Sequence, residues 1–324
     1  MRILVTGGAG YIGSNMGARL RAEGHEIVVV DDLSSGHRGS IPKGVAFAEA
    51  DVGDRTAVVG LLRTHRVEAI FHFASRIQVG ESVRDPRLYY AGNLAAAIAL
   101  LESALDAGVG IFILSSTAAV YGDPIRIPID EDHPTNPVNP YGETKLAIER
   151  MLASYARAYG LKYAALRYFN AAGANVEAGL GERHRPETHL IPIVLDAALG
   201  RRPCVEVLGS DYDTPDGTCI RDYIHVSDLC SVHLAALEYL AGGGDGGAFN
   251  VGTGHGHSVA EVIASARRVT GRAIQVEHSP RRAGDPARLV AATERAQRVL
   301  GWSAKRPLLD DIVSDAWRFH TSCA

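Results

Sequence analysis

The sequence predicts an α/β protein built on a doubly wound parallel sheet, with a smaller mixed α/β C-terminal substrate lobe. Three observations carry that expectation. An apolar run, Arg2 to Thr6, breaks into a glycine cluster over residues 7–13. Short apolar runs then alternate with stretches of helical spacing as far as about residue 171. Strands joined through helices that cover both sheet faces give that alternation. Beyond it, over residues 172–324, the strands become short and scattered, and some segments are expected to return to the first domain.

The first element is a buried strand that ends in a tight turn. Glycines at 7, 10 and 13, and equally at 8, 10 and 13, satisfy the spacing of a dinucleotide fingerprint, in which one glycine turns the chain, one lets backbone touch a pyrophosphate, and one lets the next helix pack closely. That helix starts near Tyr11 and Ile12, and its free N–H groups and dipole suit an anion. Glu26 to Val30 reads as a second buried strand, closed by Asp31, eighteen residues beyond Gly13. An acid at this spacing takes the ribose hydroxyls and repels a 2′-phosphate, so the expected cofactor is NAD rather than NADP. The domain is therefore Rossmann-type.

The remaining elements follow in order. Residues 33–44 are polar and rich in Gly and Ser, a loop; Val45 to Ala50 is a third strand, and helical spacing runs from Asp54 to His65. Residues 68–74 form a fourth strand, Leu88 to Leu105 a long Ala/Leu helix, and Ile111 to Ser115 a fifth strand. Residues 123–140 carry five prolines and must be loop, after which Tyr141 to Tyr159 is helical and Tyr163 to Phe169 a strand. Ser258 and Glu261 form a capping box that opens an amphipathic helix. The carboxyl ends of the strands place Gly7 to Gly13, Asp31, Asp51, Phe73, Ala74, Ser115 and Asn170 where such sheets bind ligands.

Composition narrows the function. With 324 residues, 46% hydrophobic and 22% charged, the chain has ample core. A net charge of −4 without a basic run disfavours nucleic acid and anionic membrane as partners. The strand that follows Met1 leaves no room for a signal peptide, and no apolar stretch reads as membrane-spanning, so a cytoplasmic protein is expected. Cys204, Cys219, Cys230 and Cys323 lack metal spacing, and the thirteen histidines form no HExxH-like cluster, so no metal site is expected.

Tyr141 and Lys145 stand one helical turn apart. A neighbouring ammonium favours the phenolate, pulling tyrosine from about 10 toward neutrality and making it usable as a base. Lysine is scarce, with only Lys43, Lys145, Lys162 and Lys305 in a chain otherwise rich in arginine, so its presence here points to a need for the ammonium. Ser115, Ser116 and Thr117 end the strand before this helix, where a hydroxyl can bond a substrate oxygen and share its proton with Tyr141. Together these features describe a hydride-transfer site.

The residues TGGAGYIGS at 6–14, HFA at 72–74, VGESV at 79–83, SSTAAVYGD at 115–123, NPYGETK at 139–145, LRYFNAAGA at 166–174, RDYIHVSDL at 221–229 and RRAGD at 281–285 resemble an extended short-chain dehydrogenase/reductase, and more narrowly the UDP-glucose 4-epimerase family. The resemblance spans nearly the whole chain. It implies an enzyme, an isomerase that keeps NAD tightly bound without consuming it, and a UDP-sugar substrate. It implies that Tyr141 takes the proton of the sugar 4-hydroxyl, that Lys145 lowers the pKa of Tyr141 and holds the nicotinamide ribose, and that Thr117 bridges to the 4-oxygen. For the cofactor it implies Gly7, Gly10, Tyr11, Ile12, Gly13, Asp31, Asp32, Ser35, Asp51, Val52, Phe73, Ala74, Ser75, Asn93, Ser115 and Tyr168, besides Tyr141 and Lys145. For the substrate it implies Asn170, His189, Leu190, Val207, Arg221, Tyr223, Arg282 and Asp285. Leu289, where relatives confined to plain hexoses carry tyrosine, is implied to line the pocket beside the C2 substituent. Two departures stand out. Ile77, next to Arg76, replaces a lysine usual in the family, and Gly92-Asn93-Leu94 replaces an Asn-rich helix start. A four-helix homodimer interface is also implied, through the helices at 88–105 and 141–159.

Rival readings remain at this point: a UDP-N-acetylglucosamine 4-epimerase or bifunctional epimerase, a nucleotide-sugar 4,6-dehydratase, and a non-catalytic NAD sensor. The dehydratase needs acidic residues just after the strand-five hydroxyls, where this chain has Ala118 and Ala119. A sensor has no use for an intact Tyr141, Lys145 and Thr117.

Overall fold

The computed structural model describes residues 1–282 and 284–322, so Ala283 and Cys323, both named above, lie outside the described residues. The chain divides into two compact units. The first comprises Met1–Gly122, Pro134–Arg167 and Cys230–Phe249, and the second Asp123–His133, Tyr168–Leu229 and Asn250–Ala324. Where the sequence suggests one boundary at 171/172, the chain leaves the first unit for good only after Phe249.

Strands β1 (Arg2–Thr6), β2 (Glu26–Asp31), β3 (Ala46–Glu49), β4 (Ala69–His72), β5 (Ile111–Thr117) and β6 (Lys162–Tyr168) form a seven-stranded sheet with Gly247–Val251. The order is Gly247–Val251, β6, β5, β4, β1, β2, β3. Pairs β1/β2, β1/β4, β2/β3 and β4/β5 are parallel. Chain order reverses beside β1, which is the doubly wound arrangement. Residues such as Leu4, Val28, Ile70 and Phe112 are apolar because the sheet is covered on both faces.

Four helices matter to the site. They are α1 (Tyr11–Ala22), α2 (Arg55–Thr64), α3 (Pro86–Ala107) and α4 (Pro140–Tyr159). Helices α2, α3 and α4 share one core, in which Val58 and Leu62 meet Leu100, Leu101, Ile148 and Leu152. Helix α4 starts where the sequence requires: Asn139 Oδ1 accepts the Gly142 N–H (2.9 Å) and Pro140 occupies the first turn. Gly160, with φ 73°, ends it.

Helix α3 corrects one expectation. A six-residue wide turn, Tyr90–Ala95, joins the segment Pro86–Tyr89 to Ala96–Ala107, so the helix runs 22 residues and is long and apolar enough to cross a membrane by length and composition. Its apolarity has a use in the fold, because Ala97, Leu100, Leu101 and Ala104 are packed into the core of the first unit.

In the second unit the strand Ile220–His225 lies parallel to Asn170–Ala172 and to Arg288–Leu289, and antiparallel to Gly256–Ser258. Helices α5 (Leu190–Ala198), α6 (Val259–Thr270) and α7 (Leu309–Ser322) share a separate core with Val205, Val207 and Tyr223. The expected capping box opens α6: Ser258 Oγ accepts the Glu261 N–H, and Glu261 accepts the Ser258 N–H. Between Asn170–Ala172 and α5, Ala174–Asn175 and Leu180–Gly181 pair antiparallel. Cys204, Cys219 and Cys230 are free thiols.

Candidate active site

The glycine turn is tight for steric reasons. Gly7 has φ +66°, and a Cβ there would lie 2.5 Å from the Ala74 backbone nitrogen; one on Gly13 would lie 2.2 Å from Gly7 O. Gly10 is the N-cap of α1 and offers no side chain to its first-turn N–H groups, and no acidic residue stands in that turn. Those donors therefore face whatever anion the turn holds. At the end of β2, buried Asp31 is held by the N–H groups of Ala9 (2.9 Å to Oδ2) and Leu33 (2.9 Å to Oδ1). Burial nonetheless raises its pKa.

The other residues implied for the cofactor fall into three groups. Tyr11, Ile12, Phe73, Ala74 and Ser75 lie at or beside the ends of β1 and β4, while Asp32, Ser35 and Asp51 are exposed. Val52 belongs to the core of the unit. Asn93 is buried and its amide is committed to protein: Oδ1 accepts the Arg76 N–H (2.8 Å) and Nδ2 donates to Arg76 O (3.0 Å). It clamps the segment after β4 to α3. Tyr168 is buried at the end of β6.

The expected Tyr–Lys–Thr set assembles within the first unit. Thr117 is the last residue of β5, its hydroxyl bonded to that of Tyr141, and its Oγ1 also accepts the Ala119 N–H (3.1 Å). Lys145 is fully buried, and its Nζ donates to Ser115 O (2.8 Å). The expected electrostatics needs correction. Burial raises the Tyr141 pKa above the tyrosine value, opposed in part by the bond to Thr117, and Lys145 is not among the groups that shift it. The reason is that burial lowers Lys145 itself to about 7, although Glu149 pulls it upward. A half-neutral ammonium contributes little attraction to a phenolate.

One functional feature escapes sequence reasoning. Glu149 lies one turn beyond Lys145, and its buried carboxylate receives the Arg167 guanidinium (Nη2 to Oε2, 2.5 Å) and the Ser116 hydroxyl. Arg167 also donates to Tyr121 OH (2.9 Å). Tyr141, Lys145 and Glu149 thus form an i, i+4, i+8 stripe on α4, and that spacing was the available signal.

Residues implied for the substrate occupy the second unit. Asn170 is in register with Tyr223, and Arg221 with Leu289, on the shared strand Ile220–His225. Arg221 Nη2 donates to Asp285 Oδ1 (2.7 Å). Arg282 is exposed and Leu289 half-buried. Val207 and Tyr223 sit in the apolar core, where burial raises the Tyr223 pKa. Leu190 opens α5 and His189 is its N-cap. The His189 imidazole is engaged elsewhere: Nδ1 lies 2.7 Å from Glu182 Oε1 and 2.8 Å from Glu187 Oε1. Burial works against a charge on this ring, but the two carboxylates outweigh it and raise His189 to about 10. His184 Nδ1 lies 3.1 Å from Glu182 Oε1. Glu182, His184, Glu187 and His189 hold one ligand atom each within 4.8 Å of one another, a grouping that the spacing of the histidines in the sequence does not announce.

Comparison with known proteins agrees with this geometry. The NAD dependent epimerase/dehydratase family matches residues 3–252. A UDP-glucose 4-epimerase of Halalkalibacterium halodurans is 50% identical over 320 residues, covering 99% of this chain and 96% of that protein. The crystal structure of a Brucella ovis UDP-glucose 4-epimerase in complex with NAD superposes with a TM-score of 0.95 at 47% identity, over 98% of this chain and 97% of that one. The UDP-Glc/GlcNAc 4-epimerase of Campylobacter jejuni superposes with a TM-score of 0.87 at 42% identity, over 99% of each chain. With the glycine turn, the Tyr–Lys pair and this breadth of match together, the chain belongs to the NAD dependent epimerase/dehydratase family.

Proposed function

We propose that this enzyme is a UDP-glucose 4-epimerase, interconverting UDP-glucose and UDP-galactose by transient oxidation at sugar C4. The observation that supports this best is the hydrogen-bonded Thr117–Tyr141 pair with buried Lys145 one turn along, in a member of this family. The proposed cofactor is NAD, tightly bound and not consumed. Its fit rests on the glycine turn that excludes a Cβ at Gly7 and Gly13, on the uncapped α1 N-terminus for the pyrophosphate, and on Asp31 for the ribose hydroxyls. When bound, it supplies reversible hydride acceptance at C4.

The work of the chain is to move a proton and to hold the nucleotide. Tyr141 takes the proton of the 4-hydroxyl and later returns it, and Thr117 shares the hydrogen bond at that oxygen. Lys145 favours the phenolate form in proportion to its own protonation. Arg221, oriented by Asp285, and Arg282 are suited to bidentate diphosphate contacts, with Asn170 and the backbone at Leu190 beside them in the proposed set. The nucleotide must be held firmly and the hexose loosely, so that the oxidised sugar turns and presents its other face. The proposal includes a cytoplasmic homodimer with no nucleic-acid or membrane partner. Purified protein given UDP-galactose without added cofactor should form UDP-glucose. A strict need for stoichiometric NAD would instead make it a net dehydrogenase.

A second reading adds N-acetylated UDP-sugars, on the observation that half-buried Leu289, paired with Arg221, stands at the proposed C2 wall. A leucine leaves space that a tyrosine ring would fill, and size decides entry in a packed wall. Leu289→Tyr should remove turnover of UDP-N-acetylglucosamine while sparing UDP-galactose, read as kcat/KM on both. Equal losses on the two substrates would defeat this reading.

A further inference from the structure

We propose that Glu182, His184, Glu187 and His189 form a structural binding site for a divalent transition-metal ion, zinc by its donor set. This inference goes beyond the epimerase reading and stands without it. Four donors of the right chemistry, two imidazole nitrogens and two carboxylate oxygens, come from only eight residues of chain. Imidazole nitrogens and carboxylate oxygens are both zinc ligands, and a four-coordinate set with no open position is the closed geometry of a structural rather than a catalytic zinc site. Donors at the usual 2.0–2.2 Å from zinc stand roughly 3.4 Å apart. Here three pairs lie at 2.7–3.1 Å and every pair within 4.8 Å, so side-chain rotations of about an ångström would seat the ion.

Charge and support point the same way. The four side chains bring two carboxylates whose ion partners are the two imidazoles of the same set, and among the described residues neither is paired with Lys or Arg. A divalent ion between these four atoms would replace those contacts and cancel both negative charges. Glu182 is more than nine-tenths buried, where a carboxylate needs a compensating partner. Glu187 Oε1 also accepts the N–H groups of Thr188 (2.8 Å) and His189 (2.9 Å), which fixes its orientation as outer-shell bonds fix metal ligands. Gly181, just before Glu182, lies so close to the Phe319 ring of α7 that a Cβ would come within 2.3 Å. The ligand loop is thereby pinned at one end by α7 and at the other by the start of α5. The ion would hold the loop to α5, and with it the Leu190 backbone.

The test is metal analysis of the whole enzyme. Protein purified from zinc-supplemented cells should hold about one zinc per chain. Chelation should remove it and lower Tm, and zinc added back should restore Tm. Cobalt reconstitution should give the visible absorption of a four-coordinate N/O site. Glu182→Gln and His184→Asn should each weaken zinc binding at least as much as the 10–100-fold lost on removing outer-shell partners. Substoichiometric zinc with no Tm response to chelation or zinc addition would overturn the proposal. So would undiminished zinc in folded Glu182→Gln and His184→Asn. Should the variants not fold, the wild-type Tm response and cobalt spectrum decide.

Discussion

Two opposing influences meet at Tyr141. Burial holds the proton on the phenol, and the Thr117 hydroxyl and any charge on Lys145 work to release it. Turnover should therefore rise with pH as the phenol ionises. Tyr141→Phe should cut kcat by about 10²–10⁴, the usual worth of a positioned acid/base, with NAD content unchanged. Because Lys145 is not among the groups that shift Tyr141, Lys145→Met should lower kcat yet leave the acid limb of the kcat/KM profile in place. A limb moved to higher pH would show that the ammonium acts on the phenolate directly. These residues were legible in the sequence because a one-turn spacing on a helix defines a face. The direction of the pKa shifts was not, because it depends on burial that no spacing reveals: Lys145 lies under β5 with its ammonium on Ser115 O.

Helix α4 and strands β5 and β6 are tied together by charge as well as by packing. Glu149 on α4 takes Arg167 from β6 and the hydroxyl of Ser116 from β5, next to both catalytic segments. Breaking such a buried pair leaves its partner uncompensated, a loss of about 3–5 kcal/mol. Glu149→Gln should lower the denaturation midpoint accordingly, while Glu149→Leu with Arg167→Met should recover much of it. Equal losses in both variants would show that packing at these positions, not charge, matters. In sequence Glu149 reads as one more surface charge on a helix, because Arg167 is eighteen residues away and only the register of β6 brings it near. Glu182 and His184 were hidden in another way. A loop has no period, so nothing announces that four side chains of residues 182–189 converge.

For the molecule as a whole, the alternation of strands and helices is enough to specify a doubly wound sheet, and Gly7, Gly13 and Asp31 mark its ligand end. Alternation says nothing about which core a late segment joins, so the return of 230–249 to the first unit was not legible beyond a general expectation. The first unit also leaves Val83, Leu88, Tyr90 and Ile98 exposed in and beside α3. An apolar group of this kind suits a symmetric contact with a second copy. Light scattering at micromolar concentration should give twice the 34.5 kDa chain mass, and a monomer mass would contradict the proposed dimer. The central claim is that the hydrogen removed from C4 returns to C4 of the same sugar. UDP-galactose deuterated at C4, converted in ordinary water without added cofactor, tests it directly. Retention of the label at C4 of the UDP-glucose formed is the expected result; loss of the label to solvent would contradict the account.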